Sequence, residues 1–273
     1  MTDVKSLDLN YWFCLLVFTF SVSLFVVIFI SISVDKMSEC RMRLRSSVTD
    51  EEKLEQIKQK KIKEEEKLNR PFIKYKGKIK YIRDFVECAI ACDGLIKLAD
   101  DAPDVLVVGF DIEWPFSFQT GSGKAALIQI SPDLQSCILI QISDLKSLPK
   151  GLAVFLAHPK VRITGVNIKN DIRKLSRDFS GFDAERIIEN CVDSGVLANK
   201  ILPVQQRWSM AKLVGYLLKM DISKDNKVRM SKWHVSPLSK EQILYAATDA
   251  YASLLLYVTL KEREKSGENK LDP

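Results

Sequence analysis

The chain has 273 residues, 47% hydrophobic and 28% charged, with a formal net charge of +6. That is length for one sizeable domain and an additional segment, with an ordinary soluble balance and a mild preference for a polyanionic partner. Two histidines and six scattered cysteines without a CxxC spacing argue against a structural zinc site and suit reduced thiols inside a cell.

Residues 11–34, YWFCLLVFTFSVSLFVVIFISISV, carry no charge. As a helix they would reach about 36 Å, enough to cross a hydrocarbon core of about 30 Å. Tyr11 and Trp12 mark one end, while Lys36, Arg41, Arg43 and Arg45 follow the other, which places the rest of the chain on the cytosolic side. Residues 1–36 are therefore expected to be a membrane anchor, or an extension ahead of a start at Met37. A cleaved signal fits less well, because the apolar run is long and an odd number of cysteines would remain. Residues 37–70 form a charged linker. Its TDEEKLEQIKQKKIKEEEKLNR (49–70) mixes both signs with few apolar anchors, as a solvated or partly helical arm does.

The globular part is expected over 71–265, followed by a polar tail at 266–273. FIKYKGKIKYI (72–82) alternates apolar residues with lysine, the pattern of a protected edge strand. Residues 83–100 have helical periodicity, with Val86, Ala89, Ile90 and Leu95 predicted to face inward. Strands are predicted at 105–113, 124–130, 136–142 and 161–166, and the last runs into a helix at 168–178. Helices at 208–219 and 239–264 close the domain. Ser239 and Gln242 have capping-box spacing, and Leu238 with Ile243 can form a hydrophobic staple. Strands in a meander, then strands alternating with helices, predict an α/β domain with a mixed sheet.

VLVVGFDIEWPF (105–116) carries the chemistry. A buried strand ends in Asp111 and Glu113, which share a face because alternate residues of a strand point the same way. Two like charges in poorly solvated surroundings need a cation between them. In the last helix, ILYAATDAYASLLLYVTL (243–260) is apolar nearly all round, and Tyr245 and Asp249 interrupt it one turn apart on one face. In GVNIKNDIRKLSRDF (165–179), Asp171 falls in the first helical turn on the side of Ile168 and Leu175. Taken singly, Asp249 could pair with an arginine, and Asp171 could merely complement a helix N-terminus. Together, four inward acids at element ends are what two divalent ions, Mg2+ or Mn2+, require for an in-line phosphoryl displacement. The hydroxyl of Tyr245 is placed to orient the attacking water.

These residues resemble the DEDD exonucleases with a tyrosine in the last motif, and more narrowly the Werner-type 3′–5′ exonucleases. The likeness covers about residues 71–265, through VVGFDIEWP, GKAALIQI, GVNIKNDIRKL, RWSMAKLVGYLL and LYAATDAYASLLLY. PFIKYKGKIKYI, PFSFQTGSGK and VRMSKWHVSPL draw it nearest the insect stand-alone form. The resemblance implies a ribonuclease H-like mixed β-sheet flanked by helices, and hydrolysis of DNA, single-stranded or with recessed 3′ ends, to nucleoside monophosphates in replication or repair. It implies catalytic roles for Asp111, Glu113, Asp171, Tyr245 and Asp249. Asp111, Glu113 and Asp249 would be direct metal ligands, and Asp171 would act on the second metal through water. It also implies a nuclear location. The chain departs from the family in two expected respects: it stops at Pro273, without the helicase fused to the vertebrate relative, and it carries the 11–34 segment, which points to a membrane.

TGSGKA (120–125) lacks the spacing of a phosphate-binding P-loop, since Phe118 and Ala125 stand where it needs Gly and Ser or Thr. Gly121 and Gly123 are read as a hairpin turn that presents Lys124 to a phosphate. In KDNKVRMSKWHVS (224–236), Arg229 and Lys232 are expected to meet phosphates and Trp233 to stack a base, the alternative being a solvated loop with Trp233 packed inward. Trp114, next to Glu113, is placed either to line the substrate channel or simply to pack. Two alternatives stay open: a membrane-tethered nuclease acting on RNA or DNA outside the nucleus, and a nucleic-acid-binding relative without catalysis.

Overall fold

The computed structural model describes residues 30–37, 50–143, 145, 147–223 and 225–267. The chain divides into two units, Met1–Asn69 and Arg70–Pro273. In the first, residues 30–37 are helical and helix α1 spans Asp50–Leu68. Most of the apolar segment expected to cross a bilayer, residues 11–29, lies outside the described residues, as do residues 268–273 of the tail.

The second unit is built on strands β1 (Lys78–Ile82), β2 (Leu106–Glu113), β5 (Leu127–Ser131), β6 (Ser136–Gln141), β7 (Val161–Gly165) and β8 (Cys191–Asp193). Between β2 and β5, strands β3 (Phe116–Ser117) and β4 (Gly121–Ser122) form a small hairpin. The main sheet runs β1-β6-β5-β2-β7-β8. Strand β5 is antiparallel to both neighbours, while β1 with β6, β2 with β7 and β7 with β8 are parallel. The fold is thus α/β with a mixed sheet, and β2 lies inside it, paired on both sides.

Period-two patterning gives β2 two different faces. Val108, Phe110 and Ile112 enter a core shared with helices α2 (Phe85–Asp101) and α3 (Lys150–Leu156). Gly109, Asp111 and Glu113 face the other way. Helices α4 (Ile168–Asp178), α5 (Ala184–Ile188), α6 (Ser194–Ile201), α7 (Met210–Leu213) and α8 (Asn226–Arg229) lead to the long α9 (Lys240–Ser266). Helix α9 starts at a complete capping box: Ser239 Oγ accepts from the Gln242 backbone, and Gln242 Oε1 accepts from the Ser239 N–H. It is long and apolar enough to cross a membrane by composition, yet its Ala246, Ala247, Ala250, Ala252, Leu256 and Leu260 are buried in the domain. A Cβ on Gly109 would stand 2.1 Å from the Ala250 carbonyl oxygen and 2.9 Å from the Leu254 nitrogen. Only glycine lets the α9 backbone settle onto β2.

Several expectations are corrected. The edge strand is confined to 78–82; ahead of it Ile73 and Tyr75 are buried in two side clusters, and Phe72 makes only an isolated bridge with Asp221. Helix α2 turns a different face inward. Cys88, Ala91, Cys92, Leu95 and Ala99 are buried, whereas Val86 and Ile90 are each 61% exposed. Gly151 of α3 approaches Cys92 closely, so small residues make the seam and the bulkier apolar ones are left outside. The helix expected at 208–219 is one α-turn, α7, followed by a π-helical turn at Val214–Leu218 that ends at Lys219 with φ of 53°. Gly121, with φ of 77°, takes the left-handed conformation in the β3–β4 hairpin.

Replacing Gly109 by alanine should cost about 3 kcal/mol, the upper range for overpacking, because backbone atoms cannot rotate away. Urea unfolding of the variant beside the natural chain measures this, and an unchanged midpoint would contradict the close seating of α9.

Candidate active site

Three elements converge beyond the end of β2. The strand itself delivers Asp111 and Glu113, and α9 crosses that face with Tyr245 and Asp249 one turn apart. The third element enters from β7. Gly165 ends that strand so close to β2 that a Cβ would lie 2.9 Å from the Phe110 carbonyl. Asn167 then turns the chain through the left-handed region, with φ of 61°, and α4 begins with Asp171 in its first turn. One carboxylate oxygen from each of Asp111, Glu113 and Asp249 lies within 4.8 Å of the other two. Asp249 is buried, while Asp111, Glu113, Asp171 and Tyr245 keep partial exposure to the cleft.

Crowding shows in the proton affinities. Burial raises the Asp111 carboxyl to about 7, against the pull of the Ile112 N–H that donates to its Oδ1 at 2.9 Å. Asp171 rises to about 9 through burial, then through Asp111 and Asp193. Glu113 is held well above the usual carboxylate range by burial and by Asp111, Asp249 and Asp171, with the Arg229 guanidinium opposing. Asp249 rises through burial and Asp111, while the Tyr245 hydroxyl and Arg229 pull it down. The Tyr245 phenol is pushed far up by burial and by Asp249, Glu113 and Asp111, so it stays protonated near neutral pH and is unsuited to act as a base.

Three clustered carboxylates and a fourth beside them form an all-oxygen donor set that carries more negative charge than its surroundings stabilise. Hard divalent cations such as Mg2+ and Mn2+ suit such a set. Gln129 pairs in register with Asp111 across β5 and is fully buried, with neither amide atom partnered among the described residues. The residues present therefore fit a divalent metal at Asp111, Glu113 and Asp249, with Asp171 beside them.

The residues expected to meet nucleic acid separate. Arg229, at the end of α8, is exposed and near enough to Glu113 and Asp249 to oppose their charge. Lys232 is exposed in the same connection. Trp233 is a correction: its ring is fully buried, so it offers no face to a base. Its Nε1–H donates to the Arg229 carbonyl at 3.0 Å, its own carbonyl accepts from Gln141, and its ring centroid stands 6.0 Å from that of Tyr245. It packs behind the tyrosine. Trp114 is half-buried against the core, and Lys124 is exposed with its Nζ 3.9 Å from the centre of the Phe179 ring. Beside Tyr245 and Asp249 opens a cavity of about 430 Å³, walled by Phe72, Ile73, Ile222, Val228, Leu244 and Thr248.

Sequence reasoning missed Asp193, which caps α6 and raises Asp171. It also missed Lys174 and Asp178, one and two turns beyond Asp171. Their signal was an i,i+4 Lys–Asp pair continuing the face of Asp171.

A mixed α/β sheet with clustered acids at the end of its central strand is an arrangement suited to holding a divalent ion. A family model described as 3′-5′ exonuclease matches residues 84–264, and the chain belongs to that family. A 3′-5′ exonuclease of Drosophila melanogaster is 47% identical over 196 residues, covering 71% of this chain and 56% of the relative. The chain thus spans little more than half the length of such curated relatives. The Nibbler EXO domain of Aedes aegypti shares the fold with a TM-score of 0.56 and 19% identity, covering 74% of this chain and 95% of that one. Escherichia coli RNase D, an exoribonuclease involved in structured RNA processing, matches with a TM-score of 0.54 and 19% identity, over 70% of this chain and 46% of that one.

Raised carboxyls mean that the metal-free folded chain holds more protons than the unfolded one. Stability then falls as pH rises above the unfolded carboxylate pKa of about 4, and the loss is complete only above the folded values. In chelator, the melting temperature should decline between pH 5 and 9, through about 7 for Asp111 and about 9 for Asp171. Added Mn2+ should restore more at pH 8 than at pH 5. Calorimetry checks both, and a metal effect independent of pH would contradict the crowding.

Proposed function

We propose that the chain is a metal-dependent 3′–5′ exonuclease of the Werner type that shortens DNA from single-stranded or recessed 3′ ends, as in replication or repair. The observation that carries this is the cluster of Asp111, Glu113 and Asp249 within 4.8 Å, with Tyr245 one turn from Asp249 and Asp171 at its side.

Asp111, Glu113 and Asp249 would hold divalent ions, with Asp171 acting on the second. Bound there, such ions supply charge neutralisation and a water acidic enough to attack near neutral pH. The protein's own groups do the rest. The Tyr245 hydroxyl, protonated and fixed by Trp233 behind its ring, donates or accepts a hydrogen bond that orients the water. Arg229 meets the substrate phosphate and offsets charge as it builds. The cavity beside Tyr245 and Asp249 has room for a nucleoside, and Ile73, Ile222 and Val228 in its lining offer an apolar surface to a base. Attack on phosphorus breaks its bond to the 3′ oxygen of the preceding nucleotide. The proton goes to that oxygen, a nucleoside 5′-monophosphate leaves, and the strand ends in a new 3′ hydroxyl.

Membrane tethering through residues 11–34, with the catalytic unit on the cytosolic side, is a separate part of the proposal and rests on 24 uncharged residues. Imaging the chain tagged at its C-terminus, with and without residues 1–36, decides it: loss of membrane signal on truncation supports a tether, and nuclear signal from both forms contradicts it.

The activity is tested with a 5′-labelled duplex carrying a recessed 3′ end and an RNA counterpart, in Mg2+, Mn2+ or chelator. A DNA ladder shrinking from the 3′ end, abolished by chelator and in Asp111→Asn, is expected. Tyr245→Phe should slow turnover about five- to tenfold, the order expected for losing one orienting hydrogen bond of about 1 kcal/mol. Faster digestion of RNA would overturn the DNA preference, and no digestion with any metal would move the site to a binding role.

A further inference from the structure

Lys174 is 7% exposed, unusual burial for a lysine, and it belongs to α4, the helix that carries Asp171. Its Nζ donates to the Gly123 carbonyl at 2.7 Å and pairs with Asp178 Oδ2 at 3.0 Å. It also stands 5.1 Å from the centre of the Trp114 ring, next in sequence to Glu113. Asp178 Oδ2 in turn accepts the Ala125 N–H at 2.7 Å. The segment these two side chains grip is stitched to the end of β2: the Gly123 N–H donates to Pro115 and the Ala126 N–H to Glu113, each at 2.8 Å. One ion pair thus ties the helix bearing Asp171 to the backbone bearing Glu113.

A buried charge pair is weak as a source of stability, because desolvation offsets most of the attraction. Its geometric effect is stronger. Both partners bond backbone atoms of the facing segment, so the separation between α4 and the end of β2 is fixed at two neighbouring points. Asp171 is one turn from Lys174 on a rigid helix, and a shift of α4 would carry it away from Asp111 and Glu113 while leaving the Asp111–Glu113–Asp249 cluster intact.

We propose that Lys174 and Asp178 are positioning residues that set the distance of Asp171 from the Asp111–Glu113 pair, and so the affinity of the second of two metal positions. This rests on the proposed metal-dependent hydrolysis. The test is calorimetric titration of the full chain with Mn2+ alone, followed by steady-state kinetics on a 3′-recessed duplex, for the natural protein, Lys174→Met, Asp178→Asn and Lys174→Arg.

Two Mn2+ events are expected for the natural chain. Lys174→Met and Asp178→Asn should keep the first and weaken the second at least tenfold, with kcat reduced and KM for the duplex within twofold. Lys174→Arg, which keeps the charge and both donations, should recover most of the second event. Asp178→Asn retains its size and an acceptor for Ala125, so it stays informative where Lys174→Met is poorly folded. Two unaltered Mn2+ events in both disruptive variants would overturn the positioning role alone, and so would equal weakening of both events together with a lowered melting temperature. A natural chain that binds no Mn2+ would overturn the metal-dependent function beneath it.

Discussion

Repulsion among carboxylates at the end of β2 is the constraint around which the second unit is organised. Two ionised groups 4.8 Å apart repel by about 3 kcal/mol at an effective dielectric of about 20, and Asp111, Glu113 and Asp249 contain three such pairs. Asp171 adds to the same field. A fold assembled for stability alone would spread these acids into water or give each an arginine. Among the described residues Arg229 opposes the charge of Glu113 and Asp249, and it is exposed. Burial and mutual repulsion therefore raise the proton affinity of these acids, and the all-oxygen donor set they form is one that suits a hard divalent cation.

Holding the acids together takes rigid elements in close approach. Gly109 lets the backbone of α9 lie on β2, and Gly165 lets β7 end against Phe110. Neither glycine touches the site, yet each sets where a carboxylate stands. Buried polar groups do similar work at the rim. Trp233 is tied to Arg229 and Gln141 and packs behind Tyr245, and Lys174 with Asp178 joins α4 to the strand end. Asp111, Glu113, Asp171 and Tyr245 keep partial exposure on a scaffold whose neighbouring Trp233 and Lys174 are buried.

Much of this was legible before any coordinates. The apolar run closing in Asp111 and Glu113 marked β2 because a strand buried on both faces loses its alternation. The Ser239–Gln242 box marked the start of α9, and Asp171 was placed one turn into α4 by the strand that precedes it. What could not be read depended on neighbours distant in sequence. The inward stripe of α2 is made of Cys88, Ala91 and Cys92 because α3 approaches closely there, and the larger Val86 and Ile90 drew the expectation to the wrong side. Trp233 carried a base-stacking expectation from the charges around it, yet burial beneath Tyr245 decided its role. The alternation over 72–82 was real, but only its second half finds a strand partner, in β6. Lys174 was hidden by type, since a lysine among Lys169, Arg173 and Arg177 looks like one more solvated cation.

The most direct measurement of the central claim is anomalous X-ray scattering at the manganese edge from crystals of the chain grown with Mn2+. Peaks within coordination distance of carboxylate oxygens of Asp111, Glu113 and Asp249, with a second ion on the side of Asp171, are the predicted result. A site without peaks, its carboxylates instead paired with lysine or arginine, would contradict the account that divalent metal is what makes this packing of acids possible.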